Sequence, residues 1–65
     1  MCLSTVYKNE MKPETVVMKN VMRIECKDGC VILTDLMDRS VALEGTLECA
    51  NLVDGFVIVK ERIPA

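Results

Sequence analysis

The stretch MRIECKDGCVILTDLM, residues 22–37, decides the fold class. Its first part alternates: Met22, Ile24 and Cys26 fall on one face of an extended chain, Arg23 and Glu25 on the other. Asp28-Gly29 then fills a two-residue turn. Gly29 is available for the positive φ that such a turn calls for. From Cys30 to Met37 an apolar run returns as the second arm. Two such arms around a D-G turn are the unit of an antiparallel sheet.

The same pattern extends outward. Residues 2–8, CLSTVYK, read as a first strand ended by the turn residues Asn9 and Pro13. Residues 14–27 hold a second strand, interrupted or bent near Lys19-Asn20. Residues 38–45 supply a turn and a fourth strand ending at Gly45, and residues 46–62 a further hairpin around Asp54-Gly55. In FVIVK both faces are apolar, with Val57 and Val59 on one and Phe56 and Ile58 on the other. One face is expected to fill the interior and the other to meet a partner subunit. No segment sustains a 3.6-residue apolar period, so no long helix is expected. The expected fold is all-β, a small barrel or strongly curled antiparallel sheet, in one domain over residues 1–65.

A core of this size stabilises only marginally by itself. No basic region followed by an apolar core opens the chain, and no apolar run approaches a membrane span. A cytoplasmic protein with reduced thiols is therefore expected, with its four cysteines free, catalytic or metal-binding rather than bridged. Oligomerisation, as a homodimer, is the remaining way to gain stability, and the 51% hydrophobic content fits it. The net charge is −2 and the eight basic residues are scattered among ten acids. Only Tyr7 and Phe56 offer a ring for base stacking. Nucleic-acid binding is disfavoured on both grounds.

The inventory of chemistry is short. There is no histidine, hence no Cys-His or Ser-His pair, and no glycine-rich phosphate loop. An enzyme is not expected. Cys26 and Cys30 flank the KDG turn at a C-x3-C spacing, which reads either as a redox pair or half of a thiolate metal site, or as two small hydrophobes on strands. Zinc sites favour the closer C-x2-C spacing and a second ligand pair, which Cys49 alone completes poorly. The hydrophobe reading is preferred for Cys26, Cys30 and Cys49.

Cys2 stands apart because it is one peptide bond from the free amine. That amine has an ordinary pKa of about 7.7–8.0 and is partly neutral near pH 7. The Met1 amine nitrogen, the Cys2 amide nitrogen and the Cys2 sulfur would close two adjacent five-membered chelate rings. Square-planar nitrogen fields of this kind suit Ni(II) and Cu(II). The second Cys2 of a symmetric dimer would supply a fourth ligand. Removal of Met1 would leave Cys2 as the terminus, still the sulfur ligand, with its own amine. The opposing reading keeps Cys2 as the first residue of an ordinary strand.

The opening Met1-Cys2, the segment KDGCVILTDLMDR (27–39) and the segment LEGTLECANLVDGFVIV (43–59) together resemble the CooT family over nearly the whole chain. The resemblance implies a small Sm/SH3-like β-barrel, commonly a homodimer. It implies a Ni(II)-binding role, as metallochaperone or store, in maturing nickel-containing carbon monoxide dehydrogenase, with that enzyme or another nickel accessory protein as partner. Cys2 matches the nickel-binding cysteine of the family. Two other readings remain: an Sm-like RNA-binding module, and an interaction domain in which Cys2 is incidental.

Overall fold

The computed structural model describes residues 3–62. Five strands follow in chain order, β1 (Ser4–Lys8), β2 (Val16–Lys27), β3 (Cys30–Asp35), β4 (Ser40–Asn51) and β5 (Phe56–Glu61). A short 3-10 turn at Pro13–Thr15 precedes β2, and no α-helix is present among the described residues. No helix there is long and apolar enough to cross a membrane. Each strand pairs antiparallel with the next, and β5 meets β1 to close a barrel. The closing pair is parallel. An up-and-down path through an odd number of strands forces this, since β5 then runs in the sense of β1.

The interior consists of Val6, Val21, Val31, Leu33, Val57 and Val59, none more than 3% exposed. Val17, Met18, Ile24 and Leu43 pack around them. Branched side chains suit a pleated surface that is buried on one side. In β5, Val57 and Val59 point inward while Phe56 and Ile58 are half-buried on the outer face, as the alternation predicts. Gly29 takes the expected positive φ, at 77, and Asp28 before it is left-handed as well, at φ 50.

A barrel this small closes because two long strands change partner midway. β2 pairs with β1 through residues 16–21 and with β3 through residues 21–27. The change falls beside Asn20, whose φ is 57, at the place where the sequence predicts a bend. β4 pairs with β3 through residues 40–44 and with β5 through residues 45–51. Here the structure departs from the expected break at Gly45. The fourth strand runs on to Asn51, and the arm expected to begin at Thr46 is its second half.

Gly45 bends the strand without ending it. Its amide donates to the carbonyl of Gly29 at 3.0 Å. A Cβ at this position would lie 2.1 Å from the Lys60 carbonyl oxygen. Glycine is needed for space, not for φ, which is how a barrel corner uses it. β3 also stops earlier than expected, at Asp35 rather than Met37. The Asp35 carboxylate draws the following amides into a turn.

Two glycine substitutions separate these constraints. Gly45→Ala is expected to cost about 2–3 kcal/mol, because backbone must move to admit the methyl group. Gly29→Ala should cost about 1–2 kcal/mol, the ordinary penalty for a left-handed alanine. Urea denaturation of both variants measures the difference, and equal losses would show that the corner is not tight.

Candidate metal centre at the amino terminus

The two residues singled out for metal binding, Met1 and Cys2, lie outside the described residues, so the site is built here from what holds them. β1 has a partner on each edge: Ser4 is opposite Val21 of β2, and Thr5 is opposite Phe56 of β5. The Thr5 amide donates to the Gly55 carbonyl at 3.0 Å. Ser4 is buried. The chain start is thus tethered to a strand secured on both sides. Covalent geometry keeps the Cα of Cys2 about 3.8 Å from that of Leu3.

The loop beside this start is itself well fixed. Asn51 Oδ1 accepts from the Asp54 amide at 2.9 Å, and Asn51 Nδ2 donates to Asp54 Oδ2 at 3.0 Å. The Gly55 amide donates to the Asn51 carbonyl at 2.9 Å. Sequence reading took Asp54-Gly55 only as a hairpin turn and missed Asn51, although the N-x-x-D-G order is what such a turn needs. Leu52 and Val53 at its tip are exposed, Val53 almost wholly so. An open groove lined by Ser4, Val21, Met22, Ile24 and Leu52 lies at the same end of β1.

The other cysteines are dispersed. Cys26 is opposite Val31 and Cys30 is opposite Lys27. Opposed residues share a face and consecutive ones alternate, so Cys26 and Cys30 project from opposite faces of their hairpin. The redox-pair and half-site readings are not met. The preferred reading as buried hydrophobes needs correction too. All three lie on strands, but Cys26 and Cys49 are exposed and Cys30 is half-buried. Cys30 is opposite Lys27 and Cys49 is opposite the outward Ile58, so both take the outer face, while Cys26 shares its face with Val31 but lies near the end of β2. No group of three or more Cys, Asp or Glu that could hold a metal occurs among the described residues.

Charges on the surface are largely paired. Lys8 meets Glu61, Lys12 meets Glu10, Arg23 meets Glu25, Arg39 meets Asp35 and Arg62 meets Glu44, at 2.9–3.8 Å. Such pairs add little stability where they are exposed. Their effect on recognition is larger, since they leave no continuous basic stripe for a phosphate backbone.

The family model described as CO dehydrogenase accessory protein CooT matches residues 1–60, a span that takes in Met1 and Cys2. The chain belongs to the CooT family. A search of curated proteins returned no match. Membership assigns the chain an accessory role in the CO dehydrogenase system.

In this CooT-family barrel the Asp35 carboxylate has a structural part. The Arg39 amide donates to Asp35 Oδ1 at 2.9 Å, and its effect, opposed by burial, is the largest in lowering the Asp35 pKa below 3.8. The Met37 amide and then the Arg39 side chain and charge add to it. A carboxylate with a lowered folded-state pKa contributes stability above its unfolded value and loses it as pH falls through the folded value. Asp35→Asn is therefore expected to lower the melting temperature at pH 7 and to flatten its decline below about pH 4. Thermal melts of both proteins across the acid range check this, and parallel curves would remove Asp35 from the acid transition.

Proposed function

We propose that the chain binds Ni(II) as cargo at its amino terminus and passes it on during maturation of the nickel-containing carbon monoxide dehydrogenase that its family serves. The observation that carries this reading is a family match beginning at residue 1, on a chain that opens Met1-Cys2. Amine, amide and thiolate then stand on two consecutive residues. The dispersed positions of Cys26, Cys30 and Cys49 support it by offering no competing thiolate cluster among the described residues.

In this reading Cys2 supplies the thiolate. The Met1 amine and the deprotonated Cys2 amide supply nitrogens in the plane, a field that Ni(II) and Cu(II) prefer. Where Met1 is removed, the Cys2 amine takes the place of the Met1 amine. A homodimer brings a second Cys2 thiolate as the fourth ligand. The protein works in the cytoplasm. A site at the chain terminus suits cargo, because an incoming ligand reaches the metal from outside. Structural zinc sites instead close four side chains around the ion. The scarcity of aromatics and the paired surface charges weigh against an RNA-binding role.

The test is a nickel titration of reduced, tag-free protein followed by visible absorption. A thiolate-to-nickel band is expected, saturating at one metal per two chains and lost in Cys2→Ser with the metal-free fold unchanged. Apparent affinity should fall at least about tenfold per pH unit below pH 8, because amine, amide and thiol must shed protons to bind. Tight nickel binding retained by Cys2→Ser would falsify the assignment.

A further inference from the structure

We infer that the open mouth of the barrel, between the first half of β2 and the start of β4, binds a carboxylate carried on an apolar body. The ligand is a free organic acid or the carboxyl end of a peptide, which present the same chemistry to the protein. The inference does not rest on the nickel reading above.

The bends that close the barrel also open this mouth. β3 pairs with β2 only from Val21 onward, so residues 16–19 have no strand on that side among the described residues. β5 pairs with β4 only from Gly45 onward, so residues 40–43 have none on theirs. A cavity of about 510 Å3 lies between the two segments, walled by Val17, Met18 and Val41, with Lys19, Asp35 and Arg39 also lining it. Sites for small ligands have volumes in this range, and barrel mouths are a frequent place for them.

The apolar wall is a part of the interior that the fold leaves uncovered. Met18 is opposite Val6 and Val41 is opposite Leu33, and both of those partners are fully buried in the core. Opposed residues share a face, so Met18 and Val41 belong to the inward one. Met18 is nonetheless only half-buried, and Val41 is 37% exposed. An apolar body seated here removes from water a surface that the strands have already turned inward.

The charges at the rim select an anion. Both Asp35 oxygens are taken, Oδ1 by the Met37 and Arg39 amides and Oδ2 by Arg39 Nε. The Asp35 side chain is 4% exposed, whereas that of Arg39 is 75% exposed. A guanidinium anchored through Nε keeps its two terminal nitrogens as donors, and such a fork matches a carboxylate with two parallel bonds. Lys19, exposed on the β2 lip, enters none of the ion pairs among the described residues. Two cations against one occupied carboxylate leave the rim positive. An inorganic oxyanion would meet the charges and leave the apolar wall wet, and a neutral apolar molecule would do the converse. A carboxylate on an apolar body satisfies both.

Titration of isotope-labelled protein with octanoate, followed through its amide NMR spectrum, tests the site. Saturable shifts are expected at residues 17–20 and 35–41, with a dissociation constant of about 1 mM or below for a ligand of about ten heavy atoms. Lys19→Gln and Arg39→Gln should each weaken binding about tenfold, through loss of one charged contact. Lys27→Gln, at the β2–β3 hairpin, should leave it unchanged. Lys19 is exposed, so its variant keeps the test decisive should Arg39→Gln fail to fold. Octanol and inorganic phosphate should each bind at least about tenfold more weakly than octanoate. Acetyl-Gly-Leu-Leu separates the two sources. Binding tighter than octanoate and lost on amidation assigns the site to a peptide terminus, and weaker binding assigns it to a free acid. The inference is overturned by an absence of saturation up to about 20 mM octanoate or by shifts confined to other residues. Octanol or phosphate binding as well as octanoate overturns it too, as does a Lys27→Gln variant weakened as much as Lys19→Gln.

Discussion

At the corner where Gly45 meets the carbonyl of Lys60, two backbones pack with no side chain between them. β4 turns there and so serves β3 with its first half and β5 with its second. With a side chain at Gly45 the halves would be forced apart, and β5 would be carried away from β1. β1 would then become an edge strand. The seating of β1 therefore depends on a contact at the next seam of the barrel, between β4 and β5. Small barrels have this property: each strand has two neighbours, so a fault at one seam displaces the strand at another.

The filled interior leaves no room for an ion at the centre of the barrel. Six aliphatic side chains occupy the centre, and the buried polar residues Ser4, Thr34 and Asp35 lie at its margin. Thr34 is bonded to Ser40, and Asp35 is satisfied by Arg39 and Met37. An ion would displace packing that a chain of this length cannot spare.

Much of the fold was legible. The two D-G turns, the alternation through residues 22–27, the bend near Asn20 and the inward Val57 and Val59 were all readable from period and turn chemistry. Gly45 was misread because a glycine before a polar residue looks the same whether a strand ends or bends. What distinguishes the cases is the Lys60 backbone, 15 residues further along, and no local pattern reports it. The cysteines were misjudged for a related reason. Placement on a strand was correct, but burial depends on which face of the barrel a position takes and on how far the core extends along it. Cys2 drew notice through its position in the chain alone, and Asn51 escaped notice because its role appears only when the loop closes.

Local chemistry acts over a few residues, so the sequence by itself determined the strands, their turns and the donor atoms gathered at Met1-Cys2. Tertiary structure alone decided that Cys26 and Cys30 face apart, that β4 is continuous, and that β2 changes partner from β1 to β3 at Val21. Those outcomes follow from register and closure. They depend on which residues of distant strands come level with each other, a relation between segments that no segment carries in itself.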